Sequence, residues 1–157
     1  MSRSLSAKLL NLINKKHDYL IGVFLVFFAN GAAATPEGYI TMKHIIFQLN
    51  GEMVEITLDE NEATRDLLTL LPHQLEWDDY GQVEKISYLP RKISTQGMPD
   101  GYTPEKGDFA YYAPWGNIVI FCKPFSYSPG LKKLGHVSHG FEAACQKGKY
   151  TVSMSSR

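Results

Sequence analysis

Gly107-Asp-Phe-Ala-Tyr-Tyr-Ala-Pro-Trp-Gly-Asn-Ile-Val-Ile-Phe-Cys-Lys-Pro-Phe125 contains two strand-forming runs around a turn. Residues Asp108–Ala113 are aromatic-rich and Ile118–Lys123 are β-branched, a composition that fits a pleated, packed surface. Pro114-Trp115-Gly116-Asn117 between them is a tight turn, because proline presets φ and glycine accepts positive φ. Ile118-Val119-Ile120-Phe121-Cys122 is apolar without a break, so this strand is expected to be buried on both faces.

Towards the C-terminus, Pro124 to Gly130 reads as an irregular loop. Lys132–Val137 reads as a short strand, Ser138–Gln146 as a short helix capped by Ser138, and Tyr150–Met154 as a closing strand. Towards the N-terminus, residues 90–107 carry Pro90, Gly97, Pro99, Gly101, Pro104 and Gly107. This is a longer irregular connection than compact domains usually contain, and such loops often carry function. Before it, Gln74–Tyr80 and Val83–Leu89 are extended stretches joined at Gly81-Gln82. Asp59 to Leu71 changes period. Ala63, Leu67, Leu70 and Leu71 form a helical stripe, Asp59 with Glu62 resembles a capping box, and Pro72 marks the end. His44–Leu49 alternates, Asn50-Gly51 is a strong hairpin signal, and Val54, Ile56 and Leu58 alternate in the return strand. The sum is a mainly β domain of about eight strands with two short, isolated helices, which predicts a closed barrel or sandwich.

The 157 residues suit one domain, and the composition, 44% hydrophobic and 20% charged, is globular. The zero net charge is unevenly spread: residues 1–34 carry +3 and the remainder −3. A mildly acidic domain with scattered lysines and arginines has no electrostatic reason to bind nucleic acid. Residues 1–34 have the order of a secretory signal peptide: a basic stretch through Lys16, the apolar run Tyr19–Phe28, then the small residues Ala29–Ala34. Cleavage after Ala34, a short linker over 35–43 and a domain over 44–155 follow, with a periplasmic or secreted product. An uncleaved segment would instead tether the domain to the membrane, its one expected contact with a bilayer. With Cys122 and Cys145 the only cysteines, a disulfide is permissible after export, but two buried free thiols are the expectation.

Catalytic motifs are scarce. There is no glycine-rich phosphate loop and no dinucleotide fingerprint, and nothing calls for a cofactor. Gly135-His-Val-Ser-His-Gly140 places Ser138 one position out of register with a nucleophile elbow. His136, His139 and Glu142 recur every third residue, yet a strand end and a helix cap explain them as well as a metal site does. Aromatics are more informative. Tyr102, Trp115, Phe125 and Tyr127 fall in predicted loops, where burial is not forced, and aromatics with a few polar groups make a ligand groove. The expected binding residues are Arg91, Tyr102, Trp115 and Phe125, with Lys85 and Tyr112 beside them. The competing account is that these aromatics only anchor their loops to the barrel.

The segment Glu84-Lys85 with Leu89-Pro90, the Gly107-Asp108 strand start, Phe121, and Leu134-Gly135-His136-Val137 together resemble the bacterial cyclophilin-like domain family. Ala63-Thr64 with Leu70-Leu71-Pro72 matches an early helical element of the same family. The resemblance spans about residues 44–154 and implies a closed eight-stranded β-barrel with two helices, akin to prolyl isomerases. It does not imply their activity. True cyclophilins set an arginine on a barrel strand among phenylalanines, and that phenylalanine-histidine-arginine segment is missing here. The expectation is an exported, non-catalytic module binding a peptide or small molecule. A weak prolyl isomerase using Arg91 is the alternative.

Overall fold

The computed structural model describes residues 42–157; the expected signal segment and most of the linker lie outside them. In chain order the strands are β1 (His44–Leu49), β2 (Glu52–Leu58), β3 (His73–Tyr80), β4 (Glu84–Tyr88), β5 (Gly101–Tyr102), β6 (Asp108–Tyr112), β7 (Asn117–Phe121), β8 (Ser128–Pro129), β9 (Leu131–His139) and β10 (Tyr150–Ser156). Helix α1 (Glu62–Leu68) follows β2 and helix α2 (Phe141–Ala144) follows β9. Eight strands close a barrel in the order β1-β10-β3-β4-β7-β6-β9-β2, and β5 with β8 forms a separate two-stranded ribbon. The barrel pairs are all antiparallel. A closed barrel leaves no full edge strand to template aggregation.

Local chemistry accounts for the elements. Asn50 and Gly51 both take positive φ, 54° and 84°, the conformation that an Asn-Gly hairpin turn needs. The β1–β2 register then places Ile45 opposite Ile56 and Phe47 opposite Val54, all buried. These residues join Trp77, Phe109, Ile118, Ile120 and Met154 in the barrel core, to which α1 adds Ala63 and Leu67 and α2 adds Ala144.

Three expectations need correction. The first helix is shorter than its leucine stripe. Its cap is Asn61, which accepts from the Thr64 amide at 2.9 Å while the Thr64 hydroxyl accepts from the Asn61 amide at 3.1 Å, so Asp59–Glu62 is not the capping box. Ser138 caps no helix. Strand β9 runs on to His139, and Ser138 sits at an irregularity in the β2–β9 pairing, donating to the Glu55 carbonyl at 3.2 Å. Gly140 instead precedes α2. Finally, Cys122 and Cys145 are not free thiols. They form a disulfide with Cα atoms 5.7 Å apart, because the end of α2 is brought against the end of β7.

Candidate functional site

Strand β7 decides where a site can form. All five of its residues are buried, and they alternate between two apolar clusters. Ile118 and Ile120 point into the barrel core; Val119 and Phe121 join Ile86, Ala110 and Leu131 in a second cluster on the outer face. Half-buried Val83, Tyr102 and Tyr112 pack against that outer cluster.

Cross-strand register extends this outer face, since directly opposed residues point the same way. Tyr80 pairs with Glu84 and Glu84 with Phe121. Asn117 lies between Tyr88 and Tyr112, and Tyr112 lies opposite Leu131. A cavity of about 260 Å³ opens over these residues, lined by Tyr80, Glu84, Tyr112, Trp115, Asn117, Val119, Phe121, Phe125, Ser128, Pro129 and Leu131.

Each wall has a local cause. The Ala113–Gly116 loop is closed by the Gly116 amide donating to the Tyr112 carbonyl at 2.9 Å, and Lys92 Nζ donates to the Pro114 carbonyl at 3.2 Å. This presents Trp115, 47% exposed, at the rim. Its ring stands edge to face with Tyr80, centroids 5.4 Å apart, and with Tyr112, 5.3 Å apart, both at 82°. Phe125 is held by its amide donating to the Pro104 carbonyl at 3.1 Å. Ser128 and Pro129 come from the ribbon, where β8 passes so close to Gly101 that a Cβ there would collide with the Ser128 carbonyl.

Two polar groups stand in this aromatic surround. Glu84 is half-buried and has no hydrogen-bond or ion-pair partner among the described residues; burial pushes its carboxyl above the ordinary range. Asn117 is 1% exposed; its Nδ2 makes a long contact of 3.5 Å to the Ile118 carbonyl, and its Oδ1 has no partner among the described residues. Among the described residues, no lysine, arginine or histidine lines the cavity.

Of the six residues singled out from sequence, the structure brings together Tyr112, Trp115 and Phe125. Tyr102 lies beside them, half-buried against the outer cluster, its phenol pushed up by burial and by the nearby Asp108 carboxylate. Arg91 and Lys85 are elsewhere. Arg91 forms a bidentate pair with Asp66 on α1, at 2.6 and 2.9 Å, and donates to Thr69 Oγ1 at 2.9 Å. Lys85 is 1% exposed on the opposite face of β4, its Nζ bonded to Asp79 Oδ1 at 2.8 Å and the Gly148 carbonyl at 2.5 Å, over the Tyr150 ring.

Sequence reasoning missed Tyr80, Glu84 and Asn117. The expected two-residue turn at Gly81-Gln82 would have paired Tyr80 with Val83; the turn also takes in Val83, so Tyr80 pairs with Glu84 and the two share a face. Asn117, expected within the turn, is the first residue of β7. His136, His139 and Glu142 are divided between β9 and α2, and no group of three or more His, Cys, Asp or Glu among the described residues is placed to hold a metal ion.

No curated protein sequence matches the chain. Among solved structures, it is similar to the solution structure of the hypothetical protein AF2241 from Archaeoglobus fulgidus, at a TM-score of 0.56 and 16% identity over 77% of this chain and 98% of that one. At that identity the likeness speaks for the fold alone, and it agrees with the barrel and its two helices. The model of the cyclophilin-like family matches residues 47–155, from β1 through β10. The chain belongs to the cyclophilin-like family.

Proposed function

We propose that this domain is a non-catalytic binding module that holds a small ligand in the cavity on the outer face of β4, β7 and β6. The observation that carries this is the second apolar cluster: loops and ribbon cover part of it, yet Tyr80, Trp115 and Phe125 remain 46–47% exposed around an open cavity. Aromatic walls with a few fixed polar groups are the usual make-up of a small-molecule site. A volume of about 260 Å³ suits a small molecule or a single side chain. The missing arginine argues against prolyl isomerisation, whose barrier of about 18–20 kcal/mol needs a donor aimed at the prolyl amide. Arg91 is committed to Asp66 instead.

The test is native mass spectrometry of the protein as recovered from cells, beside Trp115→Ala. A bound small molecule present in the first and lost in the second, with a nearly unchanged melting temperature, is the expected result. No bound species, together with a destabilisation of about 3–5 kcal/mol, would mark Trp115 as a core anchor and end the proposal.

Export is proposed on the order of basic, apolar and small residues in 1–34. The Cys122–Cys145 disulfide supports an oxidising compartment. Intact-mass analysis of an envelope fraction should find a chain beginning at or near Thr35; recovery of only the Met1 form from the cytoplasm would refute it.

A further inference from the structure

The cavity's charge is one-sided. Among the described residues its one ionised side chain, the Glu84 carboxylate, has no cation beside it, and Asn117 Oδ1 is a buried acceptor without a donor. A buried acceptor left unpaired costs free energy, so a ligand that supplies a donor or a charge there gains it back. The walls favour the same ligand. Trp115 with Tyr80 and Tyr112 at right angles to it makes a corner of three rings, and aromatic faces attract a cation through their quadrupoles. A flat aromatic ligand would prefer parallel walls to stack on; a rounded cationic head fits a corner.

We infer that the cavity takes the ammonium head of a small organic cation, with Trp115, Tyr80 and Tyr112 as its aromatic surround and Glu84 as its counter-ion. This rests on the reading of the cavity as a ligand site and adds the ligand's class. Anionic ligands are disfavoured, because Glu84 repels them and no basic side chain among the described residues lines the walls. The volume of about 260 Å³ accommodates a trimethylammonium group with a short tail.

The experiment compares choline with its uncharged isostere 3,3-dimethylbutan-1-ol on the full chain. Binding is followed at the Trp115 indole N–H resonance, assigned by its loss in Trp115→Phe. Choline should bind about tenfold or more tightly than the neutral isostere, and Glu84→Gln should shrink that ratio about tenfold while leaving the isostere's affinity unchanged. Equal binding of the two probes to the wild-type chain would overturn the cation assignment and leave the ligand site standing. If neither probe moves the Trp115 resonance at millimolar concentration, both the assignment and the ligand site fall. A trimethyllysine peptide amide that binds more than tenfold tighter than choline would overturn the small-molecule assignment in favour of a polypeptide side chain.

Discussion

Glu84 and Lys85 are neighbours in the chain and face opposite sides of the sheet. In a strand of period two, a shift of one residue exchanges the inside for the outside. The sequence reading set Lys85 beside the expected binding residues, and nothing in the local text says which way it points. The pairing of Glu84 with Tyr80 and Phe121 settles that Glu84 faces the cavity and Lys85 the interior. There Lys85 ties the Gly148 loop to the barrel, helped by the Gly148 amide donating to Asp79 Oδ2 at 2.8 Å. The Lys85 ammonium is the main reason the Asp79 carboxyl is held below its usual range. Replacing Lys85 by Met keeps the stem and removes the charge. Asp79 is 39% exposed and regains water, so the cost is expected at about 2 kcal/mol rather than the larger value of a fully buried broken pair. The check is chemical denaturation, together with a carboxyl titration in which Asp79 moves up towards its ordinary value. An unmoved Asp79 would show that Lys85 does not set its charge.

At the scale of elements, the connection after β4 shows why loops resist reading from sequence. Arg91 was legible as a residue with a reach, but its partner lies 25 positions back on α1. Asp66 gathers Arg91, the Ser94 amide at 2.7 Å and the Thr69 hydroxyl, which together fasten residues 91–94 to the helix end. The Asn50-Gly51 hairpin was the opposite case, since it is local and local chemistry specified it, whereas the turn expected at Gly81-Gln82 takes in Val83 as well and so shifts the register by one residue. Arg91, followed by the Ser94 amide, lowers the Asp66 carboxyl from 3.8 to about 2. A carboxyl whose folded value is depressed contributes stability that is present above its unfolded value. The contribution is therefore complete above about pH 4 and lost as pH falls towards 2. Arg91→Ala should flatten the acid limb of the stability curve between these values and leave the Trp115 indole resonance at the cavity unmoved. An acid limb identical to wild type would show that the Arg91–Asp66 pair has no thermodynamic weight.

For the molecule as a whole, the apolar run Ile118–Phe121 announced a strand covered on both sides, and a barrel with an external apolar cluster follows from it. Barrel closure was not legible in the same way. The seams pair β1 with β10 and β2 with β9, segments joined by most of the chain, so only a family resemblance foretold them. The disulfide belongs to the same class of long-range facts: Cys122 directly follows β7 and Cys145 directly follows α2, 23 positions on, and no local pattern measures the distance between them. Cross-linking a loop of this length removes freedom mainly from the unfolded chain, worth about 3 kcal/mol in the chain-entropy account. The Cys122→Ser/Cys145→Ser double variant should accordingly melt about 10–15 °C lower, a shift of the size expected for a domain near 100 residues. The cavity should survive this loss, because β7 is paired along its length to β4 on one side and to β6 on the other, and neither ladder needs the cross-link. In native conditions, the Trp115 indole resonance of the double variant should overlay that of the parent while the denaturation midpoint falls. A midpoint unchanged by the double substitution would mean that the reduced chain is already restrained at these positions, and that α2 is held to β7 by its packing on the core rather than by sulfur.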